Sequence, residues 1–301
     1  MKHGRILNAQ LSDERSRLMQ LGIHAMAWTP HWSNDSLPLI DRVAEMGLDF
    51  IEVPLMGIDD VDPQAIRSRL TDAGVGSVTS TVLSEATDIS SSDPDVRAAG
   101  VDYLRRCIDV TADMGAPQLS GVIYGAHGKR QLHRPSQEEW RWSAECLRTV
   151  AEHAANRGID IGIEPVNRYE SPLINTCQQA IGLAEMIGQP NVKVHLDTYH
   201  MNIEEKDWAQ PVATAGDRLC HFHLCENDRG IPGTGLVDWE ELFGALDGIH
   251  YQGYAGLESF VDVSGDMLAG TPVWRDLAPS GDVLVSEGLD FLRNLARRHG
   301  L

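Results

Sequence analysis

The chain of 301 residues has a mass of 33.1 kDa, which is long enough to bury a substantial core. With 42% hydrophobic and 23% charged residues, its composition is that of a globular protein and not of a disordered one. Twenty-five basic and 44 acidic side chains give a formal net charge of -19. This charge repels phosphate backbones and anionic membranes, so we expect neither nucleic acid nor a membrane as a partner. No apolar run approaches the roughly 20 residues of a membrane helix.

The N-terminal residues and the cysteines both indicate in which cellular compartment the protein is expected. Residues 1–20 are polar and lack the apolar segment of a secretory signal, so we expect an N-terminal extension there and the folded domain at 21–301. The five cysteines are odd in number and form no CxxC pair. Reduced thiols and a cytoplasmic location are therefore expected.

Eight short apolar runs, rich in β-branched residues, alternate with longer amphipathic segments. In chain order the predicted strands are Leu21–Trp28, Phe50–Pro54, Gly76–Leu83, Gln118–Tyr124, Ile159–Glu164, Val192–Asp197, Leu219–Leu224 and Tyr254–Phe260. The predicted helices between them include Leu37–Met46, Pro63–Ala73, Pro94–Met114, Gln137–Asn156, Thr176–Ile187 and Trp239–Leu246. Such alternation indicates a parallel sheet, because parallel neighbours need a crossover connection.

Signals at the ends of these segments support the same interpretation. Asp93 precedes Pro94, and Ser136 precedes Glu139, which are arrangements typical of helix starts. An open doubly wound sheet would usually carry a glycine-rich phosphate loop after its first strand, and Trp28–Trp32 is no such loop. The sequence therefore predicts a single-domain α/β protein with a closed (β/α)8 barrel, also called a TIM barrel.

Polar side chains stand at the ends of four consecutive predicted strands. They are Glu164, Asp197, His223 and Glu258, which we call the strand-end cluster. In a barrel of this kind the active site forms at the carboxyl ends of the strands, so these side chains should share one mouth. Any single one could instead cap a helix or join a salt bridge. Three buried carboxylates together repel one another, however, and need a cation. Oxygen ligands with one nitrogen suit Mn²⁺, Mg²⁺ or Co²⁺.

The predicted positions of two glutamates suggest a reaction. The strands that end in Glu164 and Glu258 lie three places apart in a ring of eight, at about 135° across the mouth. Two bases on opposite faces of a carbon with an acidic C–H can invert its configuration, while a metal stabilises the enediolate oxygens. Aldose–ketose isomerisation needs only one base, so the pair favours epimerisation.

Other functions remain open at this level. An aldose–ketose isomerase, or a lyase or dehydratase that passes through the same enediolate, would use the same barrel and metal. A metal-dependent endonuclease is a third class, but it needs more histidines at its site and is opposed by the net charge of -19. A sugar-binding module without catalysis is the fourth.

Further polar residues follow the strand-end cluster along the chain. Glu170, His200 and Arg229 come after the fifth, sixth and seventh predicted strands. Each could hydrogen-bond a sugar hydroxyl or polarise a carbonyl, and each could equally form an ion pair in a loop.

Four sequence runs resemble the D-tagatose/D-psicose 3-epimerases, a branch of the xylose isomerase-like TIM barrels. The runs are Ile163–Glu170, His195–Glu205, His221–Gly230 and Leu257–Phe260. The resemblance implies that the strand-end cluster binds a metal, usually Mn²⁺ or Co²⁺, and that Glu164 and Glu258 are the acid/base pair at C3 of a ketose. It also implies a homodimer or homotetramer.

The resemblance assigns substrate contacts as well. Glu170, His200 and Arg229 match residues that hold the sugar around O1 to O3. Trp28, Trp32 and Trp274 are candidates for the wall around C4 to C6. Together these features predict a metal-dependent epimerase that inverts C3 of a free ketose of the D-tagatose, D-fructose or D-allulose type through a cis-enediolate.

Two loops carry signals that we interpret as structural. Gly230–Gly235 is glycine-rich and could bind a phosphorylated sugar, but no lysine stands near it, so we expect a turn that shapes the mouth. The basic cluster that begins at His127 and Lys129 is too short for a nucleic-acid surface, and we expect a solvated loop.

Overall fold

Eight parallel strands pair in sequence order, and the eighth pairs with the first, so that the sheet closes into a barrel. The computed structural model describes residues 18–260, 271 and 273–301. The strands are β1 (Gln20–His24), β2 (Phe50–Pro54), β3 (Gly76–Leu83), β4 (Gln118–Ala126), β5 (Asp160–Ile163), β6 (Val192–Asp197), β7 (Leu219–Leu224) and β8 (Tyr254–Leu257). The predicted (β/α)8 barrel is confirmed.

The N-terminal extension stays a prediction. Residues 1–17 lie outside the described residues. Strand β1 begins at Gln20, where Gln20 is in register with Tyr254 of β8.

Helices follow the strands and cover the outside of the barrel. In the described residues they are α1 (Pro38–Glu45), α2 (Pro63–Ala73), α3 (Pro94–Met114), α4 (Gln137–Arg157), α5 (Cys177–Ile187), α6 (Thr198–Glu204), α7 (Ala209–Ala215), α8 (Trp239–Gly248) and α9 (Gly281–His299). Over these same residues, none of the helices is long and apolar enough to span a membrane.

The predicted helix starts are confirmed. The Asp93 side chain accepts a hydrogen bond from the backbone N–H of Asp95 at the start of α3. At α4, the Glu139 backbone N–H donates to Ser136 Oγ, and the Ser136 backbone N–H donates to Glu139 Oε2. This reciprocal pair satisfies two N–H groups that the first helical turn leaves free.

The barrel strands are buried on both faces, as a parallel sheet covered by helices requires. All five residues of β2 and all nine of β4 are buried. Inside the barrel the buried side chains include polar ones, notably Glu52, His195 and His221, which have no exposed surface. The barrel interior below its mouth is therefore polar, whereas the layer between strands and helices is apolar.

Three strands end earlier than predicted, which decides how the mouth is built. Strand β1 stops at His24, because the His24 Nδ1 atom accepts a hydrogen bond from the Met26 backbone N–H and caps a 3-10 turn at Ala25–Ala27. Strands β5 and β8 end one residue before Glu164 and Glu258. These two glutamates thus begin the loops of the mouth.

Replacing Gly100 with alanine should destabilise the protein, although alanine is the better helix former by about 1 kcal/mol. A Cβ atom on Gly100, which lies in α3, would come within 2.2 Å of the Thr87 carbonyl oxygen, a backbone atom that cannot move freely. Overpacking of this kind costs about 1–3 kcal/mol. We expect the free energy of unfolding of Gly100→Ala to fall in urea denaturation.

Gly182 in α5 provides the matched control, since a Cβ atom there would meet nothing within 4 Å. Gly182→Ala should stabilise the protein by up to about 1 kcal/mol. Equal stabilisation by both substitutions would show that α3 does not pack closely on Thr87.

Candidate active site

The strand-end cluster comes together at the carboxyl end of the barrel. The Nδ1 atom of His223 lies 3.2 Å from Glu258 Oε2 and 3.5 Å from Asp197 Oδ2. It also lies 3.6 Å from Glu164 Oε1. All four residues are buried. The structure thus brings together every residue that the sequence predicted as a metal ligand, around one imidazole nitrogen.

The backbone explains how these side chains meet. Asp197 and His223 are register partners on the neighbouring strands β6 and β7. Asp197 is also the N-cap of α6, because its Oδ1 atom accepts hydrogen bonds from the backbone N–H groups of Tyr199 and His200, at 2.6 Å and 3.4 Å. One oxygen of Asp197 therefore starts the helix that carries His200, and the other faces the mouth.

Arg229 supplies a fixed positive charge in the cluster. Its Nη1 atom lies 2.6 Å from Asp197 Oδ2 and 2.5 Å from Glu258 Oε2. The guanidinium is buried between two aromatic rings, 4.3 Å from the Tyr199 ring centroid and 5.3 Å from that of Phe260. Cation–π contacts of this kind hold the group in place once water is excluded.

The loop after β5 orients Glu170 and His200 together. The Asn167 backbone N–H donates to His200 Nδ1 at 3.2 Å, and the Nη2 atom of Arg229 lies 3.3 Å from His200 Nε2. The side-chain amide of Asn167 donates to Glu170 Oε1 at 2.8 Å. Glu170 Oε2 lies 3.1 Å from His127 Nε2. The sequence-predicted substrate contacts Glu170, His200 and Arg229 are thus all close to the cluster.

The charges of the cluster depend strongly on one another. Burial raises the pKa of Glu164. Burial also opposes ionisation of Asp197 and Glu258, but Arg229 and the neighbouring histidines together lower the pKa of both, that of Asp197 well below its usual range. Burial disfavours the charged form of His223, yet Glu258 and the other acids nearby raise its pKa well above the usual value. The ionised carboxylates of Asp197 and Glu258 and the positive charges of Arg229 and His223 therefore stabilise one another.

Glu170 is held ionised by its neighbours. Burial alone would raise its pKa, but the neighbouring His200 and the hydrogen bond from His127 lower it to about 2. Glu170 thus offers the mouth a carboxylate at any pH at which the protein would be assayed.

The donor set fits a divalent cation. His223 Nδ1 is fully buried and has no hydrogen-bond partner, although three carboxylates surround it. Asp197, His223 and Glu258 can each offer one ligand atom with all three atoms within 4.8 Å of one another. A nitrogen lone pair facing carboxylate oxygens is repulsive unless a proton or a metal ion lies between them.

Three residues of the cluster, Glu164, His223 and Glu258, line a cavity of about 410 Å³, within the size range of small-molecule sites. The lining also contains both polar residues, among them Glu170, His200 and Arg229, and apolar residues. The apolar residues include Met26, Pro30, Met56, Val82, Val166 and Phe260. This arrangement provides both orienting groups and a surface for the carbon skeleton of a ligand.

The three tryptophans predicted to surround C4 to C6 of the sugar are not among the described residues that line this cavity. Among the described residues that line the cavity, Trp28 is not present; its indole N–H donates to Asp282 at 3.1 Å, and its ring faces Arg42. Trp32 is buried in the core, and Trp274 is largely exposed beside a separate recess. Met26 and Pro30, which lie two residues before and after Trp28 in the chain, do line the cavity.

Two residues near the mouth, Glu52 and Asn167, were not singled out from the sequence. Glu52 lies under the cluster with its Oε2 atom 2.9 Å from His223 Nε2, and its only sequence signal is a charge within the apolar strand β2. Asn167 is a loop residue with no distinguishing pattern. The expected solvated loop is found at Arg130, His133 and Arg134, which are exposed, but not at His127 and Lys129, because His127 contacts Glu170 and Lys129 pairs with Asp88 and Glu139.

Sequence comparison identifies related proteins. Residues 40–295 match the xylose isomerase-like TIM barrel family. The chain is 37% identical over 279 residues to a ketose 3-epimerase of Arthrobacter globiformis, covering 92% of this chain and 96% of that protein. It is 38% identical over 279 residues to an L-ribulose 3-epimerase of Methylomonas sp., covering 91% and 97%.

Comparison with solved structures also identifies a 3-epimerase as similar to this chain. The crystal structure of a D-allulose 3-epimerase from Methylomonas sp. in complex with D-allulose is similar to this chain with a TM-score of 0.88 and 37% sequence identity. The superposition covers 92% of this chain and 97% of that one.

Adding Mn²⁺ to metal-stripped protein should raise its melting temperature, because a ligand that binds only the folded state stabilises it by about 2.7 kcal/mol at a hundred times its Kd. His223→Ala removes the nitrogen donor, and most of this Mn²⁺-induced rise should disappear. Differential scanning calorimetry measures both.

The control is His153→Ala, which removes an imidazole paired with Asp109 on the outer helices. It should keep the full response to Mn²⁺. An equal rise in wild type and His223→Ala would contradict the assignment of His223 as a ligand.

Proposed function

Since this chain belongs to the xylose isomerase-like TIM barrel family, and to the ketose 3-epimerases within it, we propose that it inverts C3 of a free ketose with the help of a bound divalent metal. The substrate class is D-fructose, D-allulose, D-tagatose or a similar ketose. The observation that carries the proposal is the position of Glu164 and Glu258, which approach the same His223 nitrogen from β5 and β8.

Glu164 and Glu258 act as the acid/base pair. Their strands are three places apart in the closed ring, so the two carboxylates reach a substrate between them from different sides. One carboxylate removes the proton from C3, the sugar passes through a cis-enediolate, and the other carboxylic acid returns a proton to the opposite face. A proton is taken from one side and given on the other, which inverts the carbon.

The metal ligands are the four residues of the strand-end cluster. A bound divalent cation supplies the positive charge that stabilises the oxygens at C2 and C3 as the proton leaves. We propose Mn²⁺, with Co²⁺ or Mg²⁺ as substitutes, because three carboxylates and one imidazole form a set of mostly hard donors.

Glu170, His200 and Arg229 orient the sugar around O1 to O3. All three line the cavity and are held by other contacts, so they lose little freedom when they bind a ligand. The Arg229 guanidinium donates hydrogen bonds, the Glu170 carboxylate accepts them, and the His200 ring has one nitrogen of each kind when it is neutral. Such a mixed set suits hydroxyl groups, which both donate and accept.

A free sugar fits the charges of the mouth better than a phosphorylated one. Arg229 is already paired with two carboxylates, and Lys129 is paired with Asp88 and Glu139. A phosphate group would therefore meet negative charge that these cations already share. The net charge of -19 acts in the same direction.

We propose further that the protein works in the cytoplasm as a homodimer or homotetramer. All five cysteines are free thiols, which suits a reducing compartment. The assembly rests on the resemblance to the ketose 3-epimerases; four loops that follow barrel strands each expose one large apolar side chain. These side chains are Leu132, Tyr169, Leu236 and Trp274.

Removing one base of the pair should abolish epimerisation but leave a one-sided exchange. In D₂O, Glu258→Gln should lower the conversion between D-fructose and D-allulose by about 10²–10⁴-fold. The remaining Glu164 still faces C3 of one of these two epimers, so NMR should show deuterium entering C3 of that sugar alone. Glu164→Gln should show exchange of the other epimer.

Elemental analysis must show that both variants keep their metal, and Glu139→Gln, which changes a buried carboxylate of the α4 cap, should behave like wild type. Near-normal turnover in either variant would contradict the two-base mechanism. Exchange of both epimers by one variant would contradict it as well.

A further inference from the structure

Glu52 is a buried carboxylate below the mouth that the proposed reaction does not use. It lies in β2, has no exposed surface, and is absent from the lining of the cavity within the part of the chain that the structure describes. A fully buried carboxylate is costly unless it is paired and hydrogen-bonded. Its partners therefore indicate why it is there.

The partners of Glu52 are two histidines from the other side of the barrel. Its Oε2 atom lies 2.7 Å from His221 Nε2 and 2.9 Å from His223 Nε2. Gly256 of β8 lies between these strands in the ring, and an added Cβ atom there would already be 3.7 Å from this oxygen. The carboxylate of Glu52 therefore reaches across the barrel close to the backbone of Gly256.

The chemistry of these contacts fixes the His223 ring. An ionised carboxylate can only accept hydrogen bonds, so the Nε2 atom of His223 must carry the proton that it donates. In the neutral ring the lone pair is then on Nδ1. This is the atom that faces Glu164, Asp197 and Glu258 and has no hydrogen-bond partner.

We propose that Glu52 is a positioning residue that selects the Nε2–H tautomer of His223 and directs its Nδ1 atom to the metal. The inference rests on the proposed metal site and assigns Glu52 no contact with substrate. Carboxylates that accept a hydrogen bond from a ligand histidine commonly change metal affinity by about 10- to 100-fold. His221 shares the same oxygen of Glu52, and the Nε2 atom of His24 lies 3.7 Å from the other oxygen, Oε1.

The first test measures Mn²⁺ affinity without any substrate, from the electron paramagnetic resonance signal of free Mn²⁺ over metal-stripped protein. In Glu52→Gln, either the amide N–H₂ group faces a ring N–H or one of the two hydrogen bonds is lost. The Kd of this variant for Mn²⁺ should therefore be about 10- to 100-fold higher than that of wild type. Glu139→Gln, a buried glutamate outside the site, should stay within about twofold of wild type. A Kd for Glu52→Gln close to that of wild type would overturn the proposal.

A double-mutant cycle distinguishes positioning from a merely structural effect. If Glu52 acts through His223, then Glu52→Gln should change the Mn²⁺ Kd little in a His223→Ala background. An equal loss in both backgrounds would overturn the proposal. Wild-type protein that binds no Mn²⁺ would instead overturn the proposed function, so the two failures are distinguishable.

A second measurement does not depend on the folding of any variant. Wild-type protein labelled with ¹⁵N-histidine and loaded with diamagnetic Zn²⁺ can be studied by long-range ¹H–¹⁵N correlation. His223 should show a slowly exchanging proton on Nε2. A proton on Nδ1 would overturn the proposal.

Discussion

Three carboxylates buried in one barrel mouth repel one another, and the rest of the site is arranged to compensate that repulsion. Arg229 touches two of them, and the His223 ring stands among all three. Neither group saturates the oxygens, because each carboxylate has several lone pairs and His223 presents an unpartnered nitrogen. A divalent cation resolves this conflict, which is why we interpret the mouth as a metal site and not as a structural ion-pair network.

The compensation extends downward and outward from the mouth. Below it, Glu52 holds the far side of the His223 ring. Beside it, Asp197 starts α6, and the same helix brings His200 to the cavity. The carboxylate of Glu52 thus connects the barrel interior to His223, and that of Asp197 connects the start of α6 to the mouth. These contacts within the protein hold the geometry of the mouth.

The alternation of strands and helices in the sequence was sufficient to predict the barrel, and closure of the barrel then predicts that strand ends meet. This logic found Glu164 and Glu258, whose positions follow from chain order alone. It could not find Glu52, because its partners are 169 and 171 residues away and a strand pattern does not tell which interior side chains touch across a barrel. It also misplaced Trp28, whose indole binds Asp282 in the last helix, 254 residues further on. Loop side chains depend on such distant contacts, which one sequence does not reveal.

The most direct test of the central claim follows the C3 proton of wild-type protein. Metal-stripped enzyme is incubated in D₂O with D-fructose, D-tagatose or D-allulose, with and without Mn²⁺, and the sugars are analysed by NMR. The account predicts deuterium at C3 and formation of the C3 epimer only when the metal is present. Deuterium at C1 with formation of an aldose, equal exchange without metal, or no exchange on any of the three sugars would contradict it.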